Sequence, residues 1–374
     1  MSSVSQRVVA VDWLRGLVMI LMAVAHAGMA FLVDYRFLES PFRWDPSKTI
    51  PDIYVTRAIT HICAPAFLFL SGFSLYFSIS KKIRARQSAW EIDRQLLIRG
   101  CLLIVFELAV INVLVGFERG LLLQVLYAIG LSFIFMIGVR RLPVFWICAL
   151  CVAFFLGSEW LIHTLIALNN GERGVLLASL LAGGVVHTAK PLIFAYPVLP
   201  WLAVMALGWC AADYYANHDR RQFVRLLLSM GCVAILLFVV LRTIGGYGNF
   251  GIVRQADSAI SWFFNSKYPP SLTYYSLELG LIGVLLGLLM LLEQRVPSAR
   301  KVLWPFAVLG QTALFFYIGH RVAIAIAESW LALPQHTEWW YMYVVGISIS
   351  LALFPLCVAY AKLRTTYPRY LKYL

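Results

Sequence analysis

Residues 281–292 read LIGVLLGLLMLL, an unbroken apolar run inside the longer segment 271–292. A helix needs about 20 apolar residues to cross the hydrocarbon core of a bilayer, and this segment has that length. Similar runs recur along the chain, which is 61% hydrophobic and only 13% charged, far more apolar than a water-soluble domain. The apolar residues do not alternate with polar ones, so the pattern excludes a porin-like barrel and predicts membrane-spanning helices.

The whole chain of 374 residues is predicted to be all-α and polytopic, because no stretch resembles a separate water-soluble domain. We therefore treat residues 1–374 as a single domain. Ten transmembrane helices are predicted, near 8–33, 58–79, 96–115, 121–139, 144–168, 191–212, 224–240, 271–292, 302–326 and 340–361. An apolar run at 175–186 is too short to span and is predicted to be a re-entrant or interfacial piece. An eleventh span there would invert the orientation of every later helix.

The net charge of +13 is explained by membrane orientation rather than by a nucleic-acid partner. Most Lys and Arg residues lie in every second connection, and cytoplasmic connections are enriched in these residues. Lys81 and Lys82 follow the second predicted span, and Arg140 and Arg141 follow the fourth. Ten spans with both termini in the cytoplasm satisfy this pattern. We expect a protein embedded in the lipid bilayer of a bacterial-type inner membrane that binds no nucleic acid.

Three ionisable residues lie in the first predicted span, within VDWLRGLVMILMAVAH at 11–26. Asp12, Arg15 and His26 are costly to bury in a bilayer, so each is a candidate for function. Arg15 and His26 are eleven positions apart, which places them on nearly the same helix face and about 16 Å apart along the axis. Asp12 and Arg15 are explained equally well as an interfacial ion pair. His26 lies deeper and is harder to explain as an anchor.

Two other histidines are predicted at the same outer level of the membrane as His26. His61 begins the second predicted span and His320 lies in the ninth. No paired ligand spacing such as HxxxH accompanies the three imidazoles, so no metal is expected. The connection before the eighth span contains Lys267 and Tyr268 among aromatic residues. That composition suits a sugar-like ligand and is equally typical of an interfacial aromatic belt.

The motif VDWLRGL at 11–17, together with His26, resembles the bacterial relatives of heparan-α-glucosaminide N-acetyltransferase, within the transmembrane acyltransferase superfamily. Further segments resemble the same family in the same order along most of the chain. They are HICAPAF at 61–67, residues 71–72, residues 196–208, KYPPSL at 267–272 and FFYIGH at 315–320. Their shared order makes the resemblance more specific than any one motif.

The resemblance implies an enzyme that takes an acyl group, usually acetyl, from cytosolic acetyl-CoA or another acyl-CoA. It would deliver the group across the membrane to an amino-sugar or glycan acceptor by N- or O-acetylation, with a histidine as catalyst. The histidine of the lysosomal relative follows the first helix, but residues 32–54 of this chain contain none, and His26 is the nearest substitute. Bacterial relatives commonly have an acidic residue before this histidine. Ala25 replaces it here, so Asp34 is a candidate to orient His26.

A thioester is already activated, so the protein mainly needs a base for the acceptor. Histidine, with an ordinary pKa of about 6.5, suits that task. We expect His26 to act either as this base or as a transient acyl carrier, with His61 and Asp12 also in the catalytic set. The residues expected to bind the anionic end of acyl-CoA are Arg15, Arg99 and Arg94. The residues expected to contact the acceptor are Lys267, Tyr268, His320 and Asp34.

Two other classes of protein fit the same residues. A transporter, or a flippase of a small solute or lipid-linked glycan, also needs charges on one helix face and a polar outer vestibule. A non-catalytic sensor would tolerate the loss of His26. Turnover of acyl-CoA separates the enzyme from both. The sequence leaves open the acceptor, the acyl chain length and the assembly, for which a homodimer is kept as an alternative to a monomer.

Overall fold

The computed structural model describes residues 8–33, 35, 51–115, 120–167, 179–181, 184–186, 191–254, 260–329 and 336–367. Its helices are α1 (Val9–Phe31), α2 (Pro51–Thr60), α3 (Cys63–Arg84), α4 (Ala89–Phe106), α5 (Val125–Val139), α6 (Val144–Ala167), α7 (Val198–Asn217), α8 (Arg220–Ile244), α9 (Leu272–Arg295), α10 (Trp304–Gln311), α11 (Ala313–Ser329) and α12 (Trp340–Thr366). A π-helical turn, Glu107–Ile111, continues α4 into the short helix Asn112–Val115. Two further short turns are Ile260–Phe263 and Ala299–Val302.

Several of these helices are long and apolar enough to cross a bilayer. In the described ranges there are seven: Val9–Phe31, Pro51–Arg84, Ala89–Leu114, Val144–Leu165, Arg220–Ile244, Leu272–Arg295 and Trp340–Thr366. The bent pair α10 and α11 makes eight if it forms one span. The helix α5 is shorter, and α7 is not among the seven. The helices agree with a polytopic membrane protein, whereas ten crossings and cytoplasmic termini stay predictions.

Two of the predicted spans are broken, each close to a predicted site residue. The helix of span 58–79 is interrupted at His61 and Ile62, where α2 ends and α3 begins. Span 302–326 is interrupted at Thr312, and α10 and α11 meet there at an angle of 86°. The Thr312 hydroxyl donates to the carbonyl of Val308 at 2.9 Å, a side-chain bond of the kind that competes with regular helix bonding.

Among the described residues, the fold agrees with the all-α prediction apart from one small sheet of three short strands. The strand β1 (Leu121–Leu123) pairs in parallel with β3 (Leu192–Phe194), and β2 (Gly184–Val186) pairs antiparallel with β3. The predicted spans that start at residues 121 and 191 therefore begin as strands. Pro191 and Pro197 flank β3 and lack the N–H that a continuing helix would need. The apolar run at 175–186 ends in β2, and its residues 175–178, 182 and 183 lie outside the described residues.

The first helix packs unusually closely against α10. A Cβ atom on Gly16 would lie 1.9 Å from the carbonyl oxygen of Phe306, and one on Gly310 would lie 2.1 Å from that of Asp12. Only glycine allows two helix backbones to approach this closely, and small residues at helix contacts are typical of membrane proteins. The contact fixes the position of Asp12 and its neighbour Arg15 relative to the ninth predicted span.

Candidate active site

The centre of the candidate site is a direct contact between two of the predicted histidines. Nδ1 of His26 on α1 lies 2.7 Å from Nε2 of His320 on α11. The two rings are parallel, with centroids 5.0 Å apart. Both residues are buried. The fold thus joins two residues for which the sequence predicted only a similar depth.

The hydrogen bonds of His320 determine which ring atom of His26 is basic. Nδ1 of His320 lies 2.9 Å from the carbonyl oxygen of Phe316, which can only accept, so this nitrogen carries a hydrogen. In the neutral ring, Nε2 of His320 is then an acceptor, and Nδ1 of His26 donates to it. The lone pair of His26 consequently lies on Nε2, which is the atom left for a substrate.

The opposite end of α1 holds a paired arginine. The guanidinium of Arg15 lies 3.6 Å from the carboxylate of Asp12. It also donates to the carbonyl of Leu70 at 3.0 Å and to the hydroxyl of Ser74 at 2.8 Å, both on α3. Asp12 is fourteen positions before His26, about 21 Å along the helix axis. Asp12 therefore contacts Arg15 and not the histidine pair.

A cavity of about 1060 Å³ runs beside α1. Its wall follows this helix from Val8 to Met22, a distance of about 21 Å. The basic residues in the wall are Arg15, Lys81, Arg84, Arg99 and Arg364. The guanidinium of Arg99 lies over the ring of Phe133, 4.9 Å from its centroid. Ligand pockets reach about 1,000 Å³, so the cavity has room for a large anionic ligand.

The apolar part of this cavity reaches the neighbourhood of the histidine pair. Met22, one helical turn before His26, lines it, and so does Tyr317 on α11. The ring of Tyr317 meets the rings of His26 and His320 edge-on, at centroid distances of 6.2 and 5.4 Å. Its buried hydroxyl has no hydrogen-bond partner among the described residues. The cavity therefore ends at a phenol beside two imidazoles.

Glu107 is a buried acid near this end that the sequence interpretation missed. It lies in the π-helical turn after α4, and its Oε2 accepts from the backbone N–H groups of Leu126 and Tyr127 at 3.0 and 3.3 Å. The first turn of α5 is thereby capped by a side chain of another helix. A carboxylate inside a predicted span was the available signal, because the rule applied to Asp12 applies equally to Glu107.

Lys267 and Tyr268 lie in the neighbourhood of the predicted histidines. The ammonium of Lys267 is 5.0 Å from the ring centroid of Tyr268 and 5.9 Å from that of Tyr196. The Tyr268 hydroxyl donates to that of Tyr196 at 3.3 Å. Lys267 is close enough to both His26 and His61 for electrostatic interaction. The predicted acceptor residues and the predicted histidines thus share one region.

His61 occupies the break between α2 and α3 and is buried. Its carbonyl accepts a hydrogen bond from the Tyr274 hydroxyl at 3.0 Å. Three residues that the sequence interpretation missed share its surroundings, namely Arg57, Asn265 and Glu278. Glu278 could have been found, since it is an acid inside the predicted span 271–292. Asn265 belongs to the aromatic connection before the eighth predicted span, which was predicted to suit a sugar-like ligand, but it was given no role of its own.

One predicted residue is not joined to the site, and a second cannot be located in the described part of the chain. Arg94 is exposed on α4 and does not line the cavity. Asp34 lies outside the described residues. Across the described ranges, no three His, Cys, Asp or Glu side chains form a group that could hold a metal ion.

The fold and the site define an integral membrane protein with a basic cavity that leads to a buried histidine pair. The catalytic-domain model of heparan-α-glucosaminide N-acetyltransferase matches residues 7–247, more than half of the chain. The protein belongs to this family, which places it among the transmembrane acetyltransferases and confirms the resemblance. The match includes His26 and His61, whereas His320 lies beyond it. None of the curated proteins matches the chain significantly.

Proposed function

We propose that this protein moves an acetyl group from acetyl-CoA to an amino-sugar or glycan acceptor on the outer side of the membrane. One observation carries the proposal beyond the family: a long cavity runs from a group of basic side chains to Met22 and Tyr317, and the Tyr317 ring meets the rings of His26 and His320. A donor that is anionic at one end and reactive at the other fits such a cavity. The acceptor would approach from the side of Lys267.

The basic residues of the cavity suit the phosphates of coenzyme A. Guanidinium groups bind phosphate oxygens in pairs, and Arg15 is already held in place by Asp12 and Ser74. Asp12 is therefore proposed as a positioning residue for Arg15. The apolar wall between Arg99 and Met22 suits the uncharged arm that carries the thioester.

In the proposed reaction, Nε2 of His26 removes a proton from the amino or hydroxyl group of the acceptor. The freed lone pair attacks the thioester carbonyl, and the carbon–sulfur bond breaks as the tetrahedral intermediate collapses. The thiolate of coenzyme A then takes the proton from His26. His320 supports the step, because its Nε2 accepts from Nδ1 of His26 and stabilises the imidazolium that forms.

Tyr317 is the proposed donor to the negatively charged oxygen of the intermediate. Its hydroxyl is buried at the end of the cavity and has no partner among the described residues. A hydrogen-bond donor placed where charge develops commonly gives about 10²- to 10³-fold in kcat. Before reaction, the same hydroxyl would meet the carbonyl oxygen of the thioester.

The test is thiol release from acetyl-CoA by the purified full-length protein in liposomes, with and without glucosamine. We expect His26→Ala to lower turnover by about 10²- to 10⁴-fold, the usual contribution of a general base. His163→Ala is the matched control, because His163 is exposed on α6 and does not line the cavity. Its turnover should equal that of the unmodified protein.

Two results would overturn the proposal. If the unmodified protein releases no thiol with any amino sugar but moves sugars across the liposome membrane, it is a transporter. If His26→Ala turns over normally, the catalytic assignment is wrong. An acetyl group retained on the acid-quenched protein would instead indicate that His26 is the acyl carrier.

A further inference from the structure

Four buried polar side chains near Lys267 have atoms without hydrogen-bond partners among the described residues. They are Nε and Nη2 of Arg57, Nε2 of His61, both amide atoms of Asn265 and both carboxylate oxygens of Glu278. None of the four residues is more than 2% exposed. We call these four residues the outer polar cluster.

The members of the outer polar cluster are neighbours in space, although they come from α2, α9 and the segments before α3 and α9. Arg57 interacts electrostatically with both His61 and Glu278, and Asn265 is next to His61. Tyr274 connects His61 with the helix that carries Glu278. Its hydroxyl donates to the His61 carbonyl, and Glu278 lies one turn later on α9. The unpaired atoms therefore belong to one site.

Nearby polar groups are well paired, so the lack of partners is local. The hydroxyl of Thr273 donates to the carbonyl of Gly248 at 2.9 Å, and that of Ser266 donates to the carbonyl of Pro269 at 2.7 Å. Burying a charged group without a partner is strongly unfavourable. Arg57 and Glu278 attract each other electrostatically but form no hydrogen bond with each other, so their buried N–H and carboxyl groups indicate that another molecule completes the site.

The unpaired atoms specify the chemistry of that molecule. Nε and Nη2 lie on one edge of the Arg57 guanidinium, and this edge binds the two oxygens of a carboxylate or phosphate side by side. Glu278, when ionised, only accepts, so it needs an O–H or N–H group. Asn265 can bond to the His61 ring beside it, so Arg57 and Glu278 define the ligand. A ligand with an oxyanionic group at one end and a hydroxyl or amino group a short distance away satisfies both.

We propose that the outer polar cluster binds an acidic sugar, with Arg57 on its carboxylate or phosphate and Glu278 on a hydroxyl or amino group. The inference rests on the proposed function, in which this sugar is the acceptor. Lys267 interacts electrostatically with both Glu278 and His26, which puts the bound acceptor next to the histidine pair. The arrangement makes Arg57 a determinant of acceptor specificity.

Binding is measured by calorimetry on the full-length protein in lipid nanodiscs, without acetyl-CoA. The probes are glucose, glucosamine, glucuronic acid and glucosamine 6-phosphate. We expect glucuronic acid to bind about 10- to 100-fold more tightly than glucose, or glucosamine 6-phosphate than glucosamine, as hydrogen bonds to a charged group give. Comparison of the two acids tells a carboxylate ligand from a phosphate ligand.

Arg57→Gln should abolish this preference, and Arg57→Lys should keep only part of it because lysine lacks the paired edge. Arg254→Gln is the matched control, since it removes a positive charge over Trp262 in the connection before α9 without touching the cluster. Equal binding of all four sugars, or a preference that survives Arg57→Gln, would overturn the proposal.

A second measurement tests whether Arg57 and Glu278 instead stabilise the fold. Without ligand, Arg57→Gln and Glu278→Gln should leave the melting temperature nearly unchanged, because Nε and Nη2 of Arg57 and both oxygens of Glu278 make no hydrogen bond among the described residues that the substitution would break. If both lower it and the double variant restores it, the two residues form a structural pair and the proposal fails. Acidic sugars that bind through Arg57 in a protein that never consumes acetyl-CoA would refute the proposed function alone.

Discussion

Arg57 and Arg242 are both fully buried, but their surroundings differ in one respect. Arg242, near the end of α8, donates to the amide oxygen of Asn249 at 2.8 Å and to the carbonyls of Trp262 and Ile252 at 3.1 Å each. A fourth bond reaches the carbonyl of Ser261. Arg57 leaves Nε and Nη2 without partners in the described part of the chain.

The difference separates a structural role from a binding role for chemically identical side chains. Arg242 holds together the glycine-rich connection after α8, because its acceptors come from two separate segments of that connection. Nε and Nη2 of Arg57 form no hydrogen bond among the described residues, so this edge of the guanidinium does not hold segments of the fold together. Where the protein itself satisfies a buried polar group we expect effects on stability. Where an unsatisfied group lies at a proposed binding site we expect effects on ligands.

Tyr317→Phe tests this rule with the largest expected effect. Loss of the unpaired hydroxyl should lower kcat by about 10²- to 10³-fold, because this donor would stabilise the oxyanion. Stability should be retained, since no protein bond is lost. Tyr275→Phe is the control: its hydroxyl is also unpaired, but Tyr275 does not line the cavity. A similar loss of acetyl-CoA turnover in both variants would contradict the role of Tyr317.

Arg242→Gln tests the paired side of the comparison. We expect a destabilisation of at least about 3 kcal/mol, which is two hydrogen bonds of a charged group at about 1.5 kcal/mol each. The melting temperature in detergent measures it, with Arg57→Gln as the reference. If the two variants melt alike, the distinction between the two arginines is wrong.

Two helix glycines extend the comparison to packing. A Cβ atom on Gly72 would lie 1.8 Å from the carbonyl oxygen of Met205, whereas one on Gly157 would meet nothing within 4 Å. Gly72→Ala should cost about 1–3 kcal/mol, because α3 and α7 must separate. Gly157→Ala should stabilise by about 0.5–1 kcal/mol through helix propensity. Thermal melting measures both effects. If the melting temperatures of the two variants shift in the same direction, the difference in packing between Gly72 and Gly157 is wrong.

The smallest expected effect is the difference in KM for acetyl-CoA between substitutions of Arg99 and Arg94. Arg99 lines the cavity and Arg94 lies outside it on the same helix. Arg99→Gln should raise the KM for acetyl-CoA about 10-fold, equivalent to about 1.4 kcal/mol. Arg94→Gln should leave it unchanged. Equal KM values for the two variants in the thiol-release assay would contradict the proposal that acetyl-CoA binds in the cavity.

Some elements of the fold were predictable because one local property determines each of them. The long helices follow from apolar length, and α1, α6 and α12 begin within a residue of the predicted positions. The strands β1 and β3 were not predictable, because three apolar residues read alike in a strand and at the start of a span. Only their partners decide between the two.

The residues of the candidate site also divide into those that the sequence could identify and those that it could not. His26, Arg15 and His61 could be selected from the sequence because an ionisable residue in a span is rare and costly. The 2.7 Å contact of His26 with His320 could not, since no spacing rule connects residues so far apart in the chain. Arg57 immediately precedes the predicted span 58–79, where an arginine is common at the membrane boundary, so its burial had no sequence signal.

The sequence by itself determined the membrane environment, the family and the identity of the histidine on α1. These depend on composition and on short motifs, which are local properties of the chain. The tertiary structure decided which polar groups meet, which remain unpaired and where the cavity runs. Hydrogen bonds and burial depend on distances between segments that are remote in sequence, and folding alone sets those distances.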